Sequence, residues 1–255
     1  MLFSSQPPQG KADMSLAQAV QTTVRSPQPL AWPVVGRKMK FGSPAGGNED
    51  VQALYRFGTK IRVSRGETIF NQGDPAEYAY KVVSGAVRLC RHLSDGRRQI
   101  AQFLFPGDFF NIIVTGEHGL TAEAVSDAVL MSFPQRQLRK FREERASVQE
   151  RFMTLLSQRV LDAQNHLMVL GRQTATERVA SFLVLLWERI GDDEDDLVDV
   201  PMSRLDIADY LGLTIETVCR VLSSLKRKRI IDIPSMRQLT LRDIDSLQAL
   251  ADGAD

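Results

Sequence analysis

The chain has 255 residues, 43% hydrophobic and 25% charged, with a formal net charge of +1; it is longer than one domain usually needs, and any surface for a polyanion has to be local. Its cysteines, Cys90 and Cys219, exclude a disulfide framework and a four-cysteine zinc or iron–sulfur site. No apolar run approaches the ~20 residues of a membrane helix and the amino terminus is not leader-like, so a cytoplasmic location is expected, with no membrane partner.

Residues 1–50 read as a disordered or weakly ordered tail, because "SSQPPQGK", "RSPQPLAWP" and "GSPAGGNED" are rich in Pro, Gly, Ser and Gln and have no period. Residues 51–143 change to short apolar or alternating runs separated by glycine-bearing turns, which predicts a compact β-barrel or roll. Its clearest hairpin is "VSGAVRLCRHLSDGRRQIAQFLF", turning at "SDG". Gly66, Gly73, Gly85 and Gly107 are expected at turns.

Residues 144–171 form one long helix on which Met153, Leu156, Val160, Ala163, Leu167 and Leu170 recur at spacings of three and four. That stripe predicts a parallel seam with a second copy, hence a homodimer, while Phe152 and Leu155 lie off it and are expected to face the β unit. Residues 172–250 open with an amphipathic helix, "TATERVASFLVLLWERI", followed by the acidic run "GDDEDD", read as a solvated connector. "SRLDIADYLGL" is a helix expected to turn Leu205, Ile207, Ala208 and Leu211 inward, and it ends at Gly212. The next helix, "TIETVCRVLSSLKRK", completes a helix-turn-helix, and "RIIDIPSMRQLTLRD" supplies a two-stranded wing turning at Pro-Ser.

Thr214 is placed to cap that second helix. Val218, Val221, Leu222 and Leu225 take its inward face, leaving Glu216 and Arg220, four apart, outside. The pair is open to two readings: a surface ion pair, or base readout in which Arg220 donates to guanine O6 and N7 and Glu216 accepts from cytosine N4. Arg204, Lys226, Arg227, Lys228, Arg229, Arg237 and Arg242 surround it, a local basic patch that favours double-stranded DNA.

From about residue 55 to 250 the chain resembles the Crp/Fnr superfamily of bacterial transcription regulators, through "RGETIFNQGD", "YKVVSGAVRL", "FPGDFF", "ERVASFLVLL", "SRLDIADYLGLTIETVCRVLSSLKRKRII" and "LRDIDSLQAL". The resemblance implies an α+β architecture: an amino-terminal β-roll of the cyclic-nucleotide-binding type, a long dimerisation helix and a carboxyl-terminal winged helix-turn-helix. It also implies two recognition helices in successive major grooves, with RNA polymerase as a further partner. The recognition helix is most similar to the Fnr/FixK type, Glu, two residues, Ser, Arg, which implies a palindrome like TTGAT…ATCAA and targets in low-oxygen or respiratory metabolism. Matching positions imply that Glu216, Cys219 and Arg220 meet bases, and that Ser203, Arg204, Thr214 and Thr217 meet phosphates. The chain departs from the family at Ile215, where the catabolite activator type has arginine, and at Arg229, where a glycine is usual. At Cys219 it has replaced the family's serine. A small thiol packs against a thymine methyl; beside Arg220 near a helix start it is also open to oxidation.

No cofactor is expected. The resemblance places cyclic nucleotide in the run "PGDFFNIIVTGEHGLTAEAVSDAVL", but this has Gly116-Glu117 without the following leucine and without the family's phosphate-binding arginine. The competing reading is a Crp-type sensor gated by a small ligand or by haem, the latter because Cys90 and His92 share one face of a strand. Three scattered histidines do not make the metal triad of a β-roll enzyme, so no catalytic residue or metal site is assigned.

Overall fold

The computed structural model describes residues 48–112, 116–191 and 197–253. Residues 1–47 of the expected tail and residues 192–196 of the acidic connector lie outside these. The first helix, α1 (Asn48–Tyr55), begins inside the stretch read as tail and packs Leu54 into a hydrophobic cluster.

Eight strands follow: β1 (Thr59–Val63), β2 (Thr68–Phe70), β3 (Tyr78–Ser84), β4 (Val87–His92), β5 (Arg98–Leu104), β6 (Phe109–Phe110), β7 (Thr121–Ala124) and β8 (Ala128–Pro134). They form two antiparallel sheets, ordered β1-β8-β3-β6 and β2-β7-β4-β5. The β4–β5 hairpin runs from Val87 opposite Leu104 to His92 opposite Arg98, with a bulge at Leu89/Cys90. Its loop closes as expected, the Gly96 amide donating to the Leu93 carbonyl at 3.0 Å. Gly85 shows why a turn here demands glycine: φ is +81°, and a β-carbon would strike the Asp127 carbonyl and Ala128.

Apolar strand faces fill the space between the sheets. Phe70, Tyr80 and Phe110 form an aromatic cluster with Tyr80 and Phe110 rings 5.2 Å apart, and His118 stacks on Phe70 at 3.5 Å. The run named for a nucleotide phosphate thus contributes an aromatic side chain, Phe110, to this interior.

Two helices, α2 (Gln135–Glu143) and α3 (Ala146–Arg172), lead away from the roll. Phe152 is buried and Leu155 partly buried against the roll, as their place off the stripe predicted. Of the stripe itself, Met153, Val160 and Leu167 stand 52%, 56% and 67% exposed. Leu156 packs on the roll and Leu170 is half-buried, because the ends of α3 rest on other elements. Leu161 and Met168 join the exposed face, so apolar side chains repeat at intervals of seven along it, as a two-helix seam requires.

The rest is α4 (Ala175–Ile190), β9 (Leu197–Asp199), α5 (Arg204–Leu211), α6 (Ile215–Arg227), β10 (Ile231–Ser235), β11 (Gln238–Leu241) and α7 (Ile244–Ala251). Thr174 and Glu177 cap α4 reciprocally, Gly212 ends α5 at φ +62°, and β9, β11 and β10 form the wing sheet. Two expectations are corrected. Leu205 is 51% exposed, since the first turn of α5 projects beyond the surface that buries Ile207, Ala208 and Leu211. The wing turns at Met236-Arg237 and not at Pro-Ser: Ser235 still pairs with Gln238, so Pro234 and Ser235 lie in β10.

Arg229 has φ +59°, a left-handed conformation that side chains with a β-carbon resist. Its amide closes the turn after α6 by donating to the Lys226 carbonyl at 3.0 Å, so the turn fixes the conformation whatever residue stands there. Replacing Arg229 by Gly is expected to stabilise the protein by about 1 kcal/mol in urea unfolding, whereas Arg229→Ala is expected to leave stability near its starting value.

Candidate nucleic-acid interface

Helix α6 carries the residues expected to read bases. Thr214 caps it, its hydroxyl oxygen accepting from the Thr217 amide at 3.2 Å, while the Thr214 and Thr217 hydroxyls are 3.2 Å apart. Val218, Val221, Leu222 and Leu225 are buried as predicted, which fixes the rotation of the helix. Glu216, Cys219 and Arg220 are therefore exposed together. The Glu216 carboxyl is held below its usual range by its own backbone amide first and then by Thr214; Arg220 is not among the groups acting on it. The carboxylate is thus engaged locally at the helix start.

The expected phosphate contacts sit at the starts of α5 and α6. Ser203 caps α5 in a reciprocal box with Asp206: the serine hydroxyl donates to the carboxylate at 2.8 Å and accepts from the Asp206 amide at 3.1 Å. Arg204 is half-buried and its Nη1 is buried without a hydrogen-bond partner. Burial pulls its pKa below the usual arginine range, and the neighbouring Cys219 sulfur acts in the opposite sense. The guanidinium thus keeps one donor with no partner inside the protein. Within the wider basic patch, Lys226 and Arg242 already pair with Asp232 at 3.3 and 3.7 Å, so they are weaker candidates than composition suggested.

The main surprise is how this unit is held. Arg98 on β5 bonds Asp206 at 2.5 Å and Asp209 at 2.7 Å; Arg88 on β4 bonds Asp206 at 3.0 Å and Glu123 on β7 at 2.7 Å. Gln99 donates to the Asp209 carbonyl at 2.8 Å. The Asp206 side chain is only 6% exposed, and it is the same carboxylate that caps α5. Burial pushes its pKa up, but the Ser203 amide and hydroxyl and then Arg88 and Arg98 together hold it below the usual carboxylate range. A second link joins Asp108, in the turn before β6, to Arg159 on α3 at 3.1 Å and Arg189 on α4 at 2.5 Å. Around these charges one continuous core runs from Cys90, Ile100, Phe103 and Phe105 of the roll into α4, α5 and α6. Tyr210 sits in it, 5.2 Å from Phe103 and stacked on His166 of α3 at 4.2 Å. Arg88, Arg98, Asp206 and Asp209 carried no local signal, because the partners lie more than a hundred residues apart.

Cys90 and His92 do lie on one face, with Glu123 as a third group within 4.8 Å. The site does not suit a metal or haem iron: Glu123 is already bonded to Arg88 and lies 4.0 Å from Arg98, and Cys90 is fully buried with its thiol pushed up to about 11, chiefly by burial. Among the described residues no helix is long and apolar enough to cross a membrane.

Two family models match: a cyclic nucleotide-binding domain over residues 60–145 and a Crp-like helix-turn-helix domain over residues 177–250. The nitrogen fixation regulation protein FixK of Rhizobium meliloti is 41% identical over 185 residues, covering 72% of this chain and 83% of the relative. The chain belongs to the Crp/Fnr family. FixK of Azorhizobium caulinodans is 40% identical over 202 residues, covering 78% of the chain and 82% of the relative. The structure of FixK2 from Bradyrhizobium japonicum superposes with a TM-score of 0.73 at 39% identity, covering 76% of this chain and 96% of that one. As a Crp/Fnr protein it is a DNA-binding transcription regulator, and that family is not an enzyme class.

The buried groups predict how this Crp/Fnr protein responds to acid. Burial drops the His166 pKa from 6.5 to about 4, so its contribution is complete above pH 6.5 and is lost as pH falls toward 4. Asp206 lies below its ordinary 3.8, so its contribution persists above that value and disappears only at lower pH. Melting temperature is expected to fall in two stages on acidification, the first removed by His166→Phe and the second by Asp206→Asn, each followed by circular dichroism.

Proposed function

We propose that the protein is a homodimeric activator that binds a TTGAT…ATCAA-like palindrome through two copies of α6 and recruits RNA polymerase to genes of low-oxygen or respiratory metabolism. The observation that carries this reading is the shared exposure of Glu216 and Arg220 on one face of α6, where the guanidinium can donate two hydrogen bonds to a base edge and the carboxylate, turned away from its helix start, can accept one. The relatives named FixK, with their control of nitrogen fixation, support the promoter class. The exposed apolar face of α3 supports the pairing of two chains, which sets the two α6 helices on successive turns of DNA.

A binding titration tests the assignment of contacts. Arg220→Ala is expected to lose roughly 10- to 100-fold on the palindrome and to become indifferent to the guanine it reads, as removal of a bidentate pair worth ~1–3 kcal/mol implies. Arg204→Ala is expected to weaken binding to all duplexes alike and to lower the salt slope by about 1. Equal loss of discrimination in both variants would overturn the sorting.

Cys219 is exposed and stands between the two base-reading positions. Oxygen transfer from peroxide to this thiol yields the sulfenic acid and water, adding bulk and polarity where a thymine methyl would pack. Peroxide treatment is expected to weaken binding to the palindrome, with thiol reductant restoring it, and Cys219→Ser is expected to bind unchanged by peroxide. Sensitivity that persists in the serine variant would remove Cys219 from the mechanism.

A further inference from the structure

Asp206 divides its two carboxylate oxygens between the β-roll and the start of its own helix. Oδ1 accepts from Arg88 Nη1 at 3.0 Å and from Arg98 Nη2 at 2.5 Å, while Oδ2 accepts from the Ser203 amide at 2.9 Å and hydroxyl at 2.8 Å. The orientation of α5 on the roll is thereby set through one side chain. One turn further on, Arg98 Nε donates to the Asp209 carboxylate at 2.9 Å and Gln99 donates to the Asp209 carbonyl at 2.8 Å. Tyr210 stands 5.2 Å from Phe103 of β5. Asp206, Asp209 and Tyr210 are three and four residues apart, so they share the face of α5 that is turned to the roll.

The reading helix lies outside this contact. Glu216, Cys219 and Arg220 are exposed, so the roll holds α5 without covering α6. Through the core that joins Ile207, Ala208 and Leu211 with Val218, Val221 and Leu222, α5 carries α6 with it. Arg88 and Arg98 are themselves shielded, 15% and 17% exposed, and a guanidinium fork fixes direction as well as distance. The shared core and the separate link from Asp108 to Arg159 and Arg189 keep the domains together without these two arginines. What the arginines add is a defined tilt of the helix-turn-helix on its roll.

A homodimer on a palindrome is two binding modules joined through their rolls, and a stiff connection favours the one span that matches the half-sites. We propose that Arg88 and Arg98 are positioning residues for half-site spacing: acting through Asp206, they fix each helix-turn-helix on its roll and so set the separation and twist of half-sites that the dimer accepts. The proposal rests on the palindrome reading above. Titrations of the full-length protein on the palindrome, and on duplexes with one base pair added to or removed from its spacer, test it; each change moves the half-sites by about 3.4 Å and ~35°. The unaltered protein is expected to bind the original spacing at least about tenfold tighter than either altered one, and Arg88→Gln and Arg98→Gln are expected to narrow that ratio to about threefold or less. Both variants are expected to keep the preference for the half-site guanine and the salt slope, since neither arginine is assigned to DNA. Arg98→Lys, charged but without the fork that spans Asp206 and Asp209, is expected to fall between them, and it replaces the glutamine variant should that one fail to fold. Melting followed alongside separates positioning from stability: a variant that melts lower yet keeps the full spacing ratio would overturn the proposal. An unaltered protein that prefers the palindrome to a scrambled duplex but accepts all three spacings alike would overturn this proposal alone, whereas one without that preference would overturn the palindrome reading on which it stands.

Discussion

The rest of the molecule is organised around one carboxylate. Asp206 caps α5 through Ser203 and accepts from Arg88 and Arg98 of the β-roll, so the group that starts the first helix of the helix-turn-helix also fastens it to the sensory-type domain. A buried carboxylate is costly unless its lone pairs are satisfied, and here its partners come from two sides. The two requirements are met together in the relative placement of the domains seen here. That placement makes the packing of Phe103, Phe182 and Tyr210 a single continuous core.

Such an arrangement gives the roll a direct mechanical route to the helix-turn-helix. β4 and β5 carry the two arginines, and the carboxylate they hold is two residues from Arg204 and three from Ser203. A displacement of the hairpin reaches the first turn of α5 without passing along the helix between the domains. Asp108 provides a parallel connection, tying the turn before β6 to α3 and α4 at once. Breaking either member of these pairs leaves a partner charge partly buried, which penalises intermediate placements.

The fold was legible in the sequence wherever periodicity or turn chemistry was local. The glycine turns, the Thr214 cap, the inward set Val218, Val221, Leu222 and Leu225, and Phe152 and Leu155 on the roll side of α3 all stand where their spacing put them. Leu205 and the wing turn were misread because hydrophobicity does not say how far a first helical turn projects, and because proline is tolerated in a strand whose partner does not need its amide. The exposure of Glu216, Cys219 and Arg220 followed from the opposite face being apolar. The state of their charges did not, since engagement of Glu216 by its own helix start depends on rotamer and not on spacing. The ionic fastening between domains was invisible in principle: charged residues at long separation carry no pattern until the chain is folded.

The closeness of Arg204 to Cys219 ties together two side chains that the proposed reading gives to different tasks, one to a phosphate and one to a base. An acidic oxygen added to that sulfur would find a dehydrated cation already waiting inside its own protein. One oxidation at Cys219 would therefore change the surroundings of both side chains at once.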